Sequence, residues 1–396
     1  MSLTSTPSAN RLHIGIFGKR NSGKSSLINA ITGQNTAVTS DIAGTTTDPV
    51  YKAMEIHGIG PCMLIDTAGF DDEGSLGALR IEKTRDALAK TDVAIMLFCD
   101  ADLTREQEWI GALRAQKTPV VAVVNKADIL PNVPEIAEAV HTAFGLFPVV
   151  ASAKDGAGVK DVIEAVIRQM PEDYEKKSVT GGLVSDGDVV LLVMPQDIQA
   201  PKGRLILPQV QTIRDLLDNR CVVIGVTADK FDAGLAALAR PPRLIITDSQ
   251  AFPQVYAKKP PETLLTSFSV LMAGVKGDIN AFVEGAAAID ALTKDSRVLI
   301  AEACTHAPLE EDIGRVKLPR LLRARISGEL AVDIVSGPDF PDDISGYSLI
   351  IHCGACMFNR RYVLARIEKA RAAGVPITNY GVALAKLGGI LDRIAY

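Results

Sequence analysis

Short apolar runs alternate with stretches of helical spacing along most of the chain. Residues 12–17, 63–65 and 120–124 have the length and aliphatic content of buried strands, and each runs directly into a polar segment. A polar stretch from Met170 to Gly182, with Pro171-Glu172-Asp173-Tyr174-Glu175-Lys176-Lys177 at its centre, has linker composition. The alternation then starts anew. Residues 189–193, 221–226 and 244–246 predict strands, and 209–217 and 231–238 predict helices. Lys258-Lys259-Pro260-Pro261 marks another break, although residues 264–272 can still complete the middle sheet. Beyond it, 297–303, 330–335 and 349–351 predict strands. Helical spacing marks 278–292, the basic stretch carrying Lys317, Arg320, Arg323 and Arg325, then 362–373 and 380–387. Regular alternation of strand and helix predicts parallel sheets, so the fold class is α/β in three modules. Residues 1–10 read as a flexible tail, 11–172 as the first module, 180–272 as the second and 273–396 as the third.

The polar segments after the first strands carry the chemistry. Strand 12–17 enters Gly18-Lys19-Arg20-Asn21-Ser22-Gly23-Lys24-Ser25, and Ser26-Leu27-Ile28 continues as a helix. This is the G-x-x-x-x-G-K-S pattern in the strand–loop–helix context that the phosphate loop requires. Its glycines permit a tight turn whose N–H groups, with Ser22, Gly23 and Ser26, cradle phosphate oxygens; Lys24 reaches the β- and γ-phosphates and Ser25 ligands Mg²⁺. Gly44-Thr45-Thr46-Thr47-Asp48 lies where a switch segment belongs, with Thr46 as a further Mg²⁺ ligand. The run 63–65 ends in Asp66-Thr67-Ala68-Gly69, in which Asp66 holds Mg²⁺ through water and the Gly69 N–H senses the γ-phosphate. Lys24, Thr46, Asp66 and Gly69 are therefore the candidate catalytic set. Strand 120–124 ends in Asn125-Lys126-Ala127-Asp128, and Ala151-Ser152-Ala153-Lys154 follows. A carboxylate at Asp128 accepts the N1 and N2 hydrogens of guanine, a donor pair that adenine lacks, while Ser152 and Ala153 complete the base contact. Five elements in this order resemble the guanine-nucleotide switch of GTPases. Phe70 stands where Ras-like enzymes carry a water-orienting glutamine, which implies slow intrinsic hydrolysis. Asn21 resembles the phosphate-loop asparagine of Era/TrmE-like GTPases that coordinates an activating K⁺.

Composition narrows the setting. The net charge is −5, which gives no general attraction to nucleic acid. No apolar run approaches the ~18 residues of a membrane span, and the polar start has no signal-peptide core. The expectation is a cytoplasmic chain with neither a nucleic-acid nor a membrane partner. In that compartment six cysteines point to metal ligands or core thiols rather than disulfides. Cys62, Cys99 and Cys221 lie in apolar strands and read as core thiols, and His13, His57 and His141 read as structural. Asp186, Asp188 and Asp197 read as turn and cap residues. Gly274-Val275-Lys276-Gly277 fits the G-x-x-G loop of RNA-binding KH domains, with a plain hinge as the alternative.

Cys304-Thr305-His306 and His352-Cys353-Gly354-Ala355-Cys356 differ from these, because their thiols and imidazoles sit at the ends of two predicted strands. If those strands are neighbours in one parallel sheet, the ligands converge. A tetrahedral zinc with three thiolates and one imidazole and a three-thiolate iron–sulfur cluster both fit this spacing.

The combination is more specific than its parts. The segment from Gly44 through Pro49-Val50-Tyr51-Lys52-Ala53-Met54-Glu55, with the C-x-H and H-C-x-x-C pair, resembles HydF, the GTPase family of [FeFe]-hydrogenase maturation. Thr47 departs from the arginine of the wider Era/TrmE group and agrees with HydF. The resemblance spans nearly the whole chain. It implies a GTP-dependent scaffold and carrier, with Cys304, Cys353 and Cys356 holding a [4Fe–4S] cluster and His352 or His306 as an exchangeable or nearby ligand. It implies residues 180–272 as a dimerisation domain and 273–396 as the cluster domain, in a homodimer or a dimer of dimers. It also implies a transient di-iron precursor received from the radical-SAM maturases HydE and HydG and passed to apo-[FeFe]-hydrogenase. Two other readings stand beside it: an Era/TrmE-like RNA or ribosome-assembly GTPase with a structural zinc, and a metal-insertion GTPase. The acidic charge disfavours the first, and the lack of a histidine-rich tract disfavours the second.

Overall fold

A computed structural model describes residues 8–33, 49–69, 83–171, 178–194, 205–248, 251–302, 312–337, 339–355 and 358–396. These divide into two compact units, residues 1–175 and 176–396. Thr46, Phe70, Asp197, Cys304, His306 and Cys356 lie outside the described residues. Ser8–Asn10, within the predicted tail, form a short 3-10 turn.

The first unit is built on a six-stranded sheet of order β2-β3-β1-β4-β5-β6. Its strands are β1 (Leu12–Gly18), β2 (Val50–Ile56), β3 (Gly60–Asp66), β4 (Val93–Phe98), β5 (Val120–Val124) and β6 (Val149–Val150). All neighbours are parallel except the edge pair β2–β3, which the hairpin at 57–59 makes antiparallel. β1, β3 and β4 are buried on both faces, which is why they read as unbroken apolar runs rather than alternating ones. One face packs Leu27 and Ile28 of helix Lys24–Thr32 with Val162 and Val166 of helix Val159–Gln169. The other packs Trp109, Ile110 and Leu113 of helix Thr104–Ala115 with Ile136 and Val140 of helix Val133–Phe144.

The second unit holds two four-stranded, wholly parallel sheets, ordered β10-β9-β7-β8 and β12-β11-β13-β14. The first contains β7 (Val189–Val193), β8 (Val222–Val226), β9 (Leu244–Thr247) and β10 (Leu264–Ser267). The second contains β11 (Arg297–Glu302), β12 (Ala331–Ser336), β13 (Leu349–His352) and β14 (Ile377–Asn379). Helix Phe268–Lys276 packs on helices Leu207–Asp218, Arg360–Ala372 and Tyr380–Leu387, and so joins elements that follow and precede the boundary read from sequence spacing. The chain's end returns as well, Ala395 N–H donating to Leu265 O of β10 at 2.9 Å. Gly274 and Lys276 lie within that helix, and Lys276 is buried, so Gly274–Gly277 is a helix end rather than an exposed RNA-clamping loop.

Several helices start without a loop. Ser267 ends β10 and caps the next helix by accepting from Val270 N–H, and Asn379 ends β14 and accepts from Gly381 and Val382 N–H. Helix Ile279–Ala287 lies so close to β14 that a Cβ at Gly285 would strike the Ile377 carbonyl. The predicted helix 278–292 ends at Ala287 and continues as a 3-10 turn, and the basic stretch begins as a π-turn, Ile313–Lys317, before helix Leu318–Arg325.

Candidate functional site

The phosphate loop leaves the carboxyl end of β1, and Gly23, in the left-handed region at φ 93°, starts helix Lys24–Thr32. A Cβ there would strike Asn125 Nδ2, so this position requires glycine. Asn21 also adopts a left-handed backbone, φ 58°, and is exposed. The Lys24 side chain is buried and donates to the carbonyls of Gly18 at 3.0 Å and Lys19 at 2.8 Å, folding back over the loop that it would leave for phosphate. Ser25 Oγ donates to Asp66 Oδ2 at 2.6 Å, joining the two Mg²⁺ candidates at the ends of neighbouring strands β1 and β3. Asp66 is buried, and among the described residues its Oδ1 accepts no hydrogen bond. Burial pushes its carboxyl up, against the Ser25 hydrogen bond and the Lys24 charge. A buried carboxylate with an orphaned oxygen beside a serine hydroxyl is a donor set that suits Mg²⁺. Gly69 lies against the loop, with a Cβ there falling 2.7 Å from Arg20 N.

The base-reading elements lock to the same loop. Asn125 Nδ2 donates to Ser22 O at 2.8 Å, and Asn125 Oδ1 accepts from Ala153 N–H at 3.1 Å. Asp128 Oδ1 accepts from Ser152 Oγ at 3.0 Å, and Lys126 takes a left-handed φ of 62°. Asn125 thus ties phosphate loop to base loop and leaves the Asp128 carboxylate to the base. Gly18, Asn21, Ser22, Gly23, Lys24, Ser25, Ser26, Asn125, Lys126, Asp128, Ser152 and Ala153 come from three βα turns at one end of the sheet, as carboxyl-end sites of open α/β sheets do.

Sequence reading missed an acidic cluster behind this loop. Lys19 Nζ donates to Asp100 Oδ1 at 2.8 Å and to the Asp102 carbonyl, and lies 3.7 Å from Glu106 Oε2. Glu106, in the first turn of helix Thr104–Ala115, is 2% exposed. Burial raises its pKa to about 7, with Asp100 and Asp102 adding and Lys19 opposing. Between the ordinary carboxyl value and about 7 the folded state therefore keeps a proton that the unfolded chain releases, so stability falls as pH rises through that window and is level above it. Glu106→Gln is expected to flatten this slope and to stabilise the first unit near pH 8 relative to near pH 5, by up to about 3 kcal/mol. Urea titrations of both proteins at the two pH values check it; parallel pH profiles would exclude the effect.

In the second unit β11 and β13 are parallel neighbours, with Ala301 opposite His352 and Cys353 N–H donating to Ala301 O at 2.9 Å. The strand end that leads to Cys304 and the strand end at Cys353 therefore lie side by side. Ala355, at φ 49°, turns its N–H onto Cys353 Sγ at 3.4 Å. A half-buried thiol at a sheet's carboxyl end, accepting a backbone N–H, suits a metal-bound thiolate. Among the described residues no group of three or more His, Cys, Asp or Glu is placed to hold a metal ion, and Cys304, His306 and Cys356 are not among those residues. His352 is fully buried; its Nδ1 meets Cys353 O at 2.7 Å and its Nε2 meets Arg366 Nη1 at 3.1 Å. A carbonyl only accepts and a guanidinium only donates, so the ring is the neutral Nδ1–H tautomer with its Nε2 lone pair taken. Coordination by His352 would require release of that bond. Cys62 and Cys221 are buried core thiols, the former pushed up to about 11 by burial.

A guanine-nucleotide P-loop fold with its phosphate, Mg²⁺ and base elements in place defines the first unit as a GTPase domain, and residues 13–126 match the 50S ribosome-binding GTPase model. Residues 179–277 match the hydrogen maturase F dimerization domain and 280–395 its tetramerization domain. The chain belongs to the hydrogen maturase F family, HydF, and carries the domains by which that family self-associates. The tRNA modification GTPase MnmE of Endomicrobium trichonymphae is 37% identical over 166 residues, 40% of this chain and 35% of that protein. GTPase Der of Wolinella succinogenes is 34% identical over 179 residues, 43% and 38% of the two chains. The chain thus spans little more than a third of these curated relatives. Among solved structures, an Aquifex aeolicus Era variant bound to GDP·AlF4⁻ aligns with TM-score 0.37 and 17% identity over 64% of this chain and 99% of that one. NFeoB of S. thermophilus bound to GDP·AlF4⁻ and K⁺ aligns with TM-score 0.33 and 24% identity over 40% of this chain and 62% of that one. No helix among the described residues is long and apolar enough to cross a membrane.

Proposed function

We propose that this chain is a GTP-hydrolysing scaffold of [FeFe]-hydrogenase maturation. It holds a [4Fe–4S] cluster on Cys304, Cys353 and Cys356, with His352 or His306 as an exchangeable neighbour. Its cargo is a di-iron precursor, taken from HydE and HydG and handed to apo-hydrogenase. The adjacency of β11 and β13 supports this reading, because in a HydF-family protein it sets the strand end that leads to Cys304 beside the one that leads to Cys353. The cluster supplies an iron without a thiolate, where a ligand can be taken up and given away. The Ala355 N–H on the Cys353 thiol and that thiol's place at the sheet's carboxyl end support its role as a cluster ligand.

At the nucleotide site, Lys24 exchanges its two loop carbonyls for phosphate oxygens, and Asp66 and Ser25, with Thr46, hold Mg²⁺, which neutralises developing phosphate charge. Asn21, exposed and left-handed at φ 58° in the loop, would offer K⁺ a side-chain oxygen, and the ion's charge would stand in for the glutamine that Phe70 replaces. Equal turnover in K⁺ and Na⁺ buffers would remove that role. Switch movement on hydrolysis alters the docking of partners rather than the cluster's chemistry. Self-association uses the open edge strand β8, whose Val222 is 52% exposed, in the unit that carries the dimerization domain.

Anaerobic reconstitution with iron and sulfide, followed by EPR of the reduced protein and metal analysis, tests the scaffold. The expected result is a [4Fe–4S]⁺ signal lost in Cys304→Ala, Cys353→Ala and Cys356→Ala. Stoichiometric zinc without such a signal would overturn it in favour of an assembly GTPase with a structural metal.

A further inference from the structure

Arg366, on helix Arg360–Ala372, is 4% exposed, and among the described residues no carboxylate pairs with it. Its Nη1 bonds His352 Nε2; its Nη2 bonds Gly337 O at 2.7 Å and Tyr362 Oη at 2.5 Å. The guanidinium also stacks on Tyr362 and Phe340, at 4.5 and 4.7 Å from the ring centroids. Gly337 follows β12 and His352 ends β13, the two strands flanking β11, so the guanidinium bridges across the end of β11. The acid at that end, Glu302, is engaged by Arg315 Nη2 at 3.0 Å and Ser336 Oγ at 2.9 Å.

Burial presses on the Arg366 charge, and among the described residues the Tyr362 hydroxyl and the Cys353 thiol favour it. A guanidinium remains protonated in proteins, so this is a permanent cation. Burying such a charge without an anion costs several kcal/mol, and folds rarely keep one unless something compensates it. Aromatic stacking and two neutral acceptors return part of that cost. An anionic group bound at Cys353 would complete that compensation.

We propose that Arg366 is the built-in counter-cation of the anionic iron–sulfur group at Cys353, a positioning residue that raises the group's reduction potential and fixes the His352 tautomer. This rests on the cluster reading above. Three thiolates and bridging sulfides leave a cluster negatively charged, and reduction adds one more electron to it. A fixed cation in a dry setting favours the reduced form, and its removal disfavours it.

The test is the midpoint potential of the anaerobically reconstituted full chain, by EPR-monitored redox titration. Arg366→Gln keeps amide donors for His352 Nε2 and Gly337 O but removes the charge. Phe340→Glu leaves Arg366 in place and sets a carboxylate against it, which carries the test if Arg366→Gln fails to fold. Each is expected to move the midpoint to more negative values, and Arg366→Gln should do so equally in a His352→Ala background, which excludes a change of ligand as the cause. Lys369→Met removes a charge over the same Phe340 ring, at 5.6 Å, that already pairs with Asp342, and should leave the midpoint unchanged. A normal cluster with an unshifted midpoint in both charge variants would overturn the role of Arg366 alone. A wild-type chain that binds no cluster would overturn it together with the cluster reading.

Discussion

Lys24→Ala is expected to lower kcat/KM for GTP by about 10²–10³-fold, the usual loss when one preorganised donor to developing oxyanion charge is removed. The structure shows what the lysine does before nucleotide arrives. Its ammonium satisfies the Gly18 and Lys19 carbonyls from inside the loop, so both donors and loop are held in shape at little cost when phosphate displaces those carbonyls. Alanine leaves these acceptors to water and removes the ammonium that would meet the phosphate oxygens. Steady-state phosphate release and equilibrium GTP binding check it. A variant within threefold of wild type on both would exclude the phosphate role. In a purified maturation system the same variant reports on coupling, since maturation at the normal rate would show hydrolysis to be dispensable.

Asp128→Asn should exchange the base. Asp128 is held by Ser152 Oγ, and its carboxylate presents only acceptors to the guanine N1 and N2 hydrogens. Hydrogen bonds to a charged partner contribute about 1.5–3 kcal/mol each, so losing the pair weakens GTP by about 10²–10⁴-fold. Asparagine offers a donor as well as an acceptor. Xanthine carries a carbonyl where guanine carries the amino group, so XTP should bind the variant better than GTP does. Competition between the two nucleotides measures this, and unchanged preference for GTP would show that another group reads the base.

Motifs confined to a single βα turn were legible, because their function depends on residues fixed a few positions apart. The phosphate loop, the Asp66–Gly69 turn and the Asn125–Asp128 tetrad all fall at strand ends, where the apolar runs place them. Partners from distant positions were not legible. Glu106 gives no signal in sequence, since an acidic residue in a helix's first turn ordinarily caps it and stays solvated. Only the packing of its helix, which leaves Glu106 2% exposed near Asp100 and Asp102, makes it a proton-holding group, and Lys19, 87 positions away in the chain and 3.7 Å in space, opposes this. β2 gives no buried-strand signal, because it is an edge strand with four of its seven residues exposed.

The sequence by itself determined the alternation of elements and the chemistry of each turn: where phosphate, guanine and metal would be met, and that Cys353 would stand at a strand end. Local spacing decides these, through apolar periodicity and the few residue types that a given turn tolerates. Tertiary structure alone decided which strand ends meet. Strand order set β11 between β12 and β13, and helix Arg360–Ala372 then laid a cation across them, on a histidine 14 residues earlier in the chain. Arg366 in sequence is one basic residue among several on an amphipathic helix. Burial with no acid paired to it among the described residues is what ties it to the site, and burial is a property of packing between distant segments.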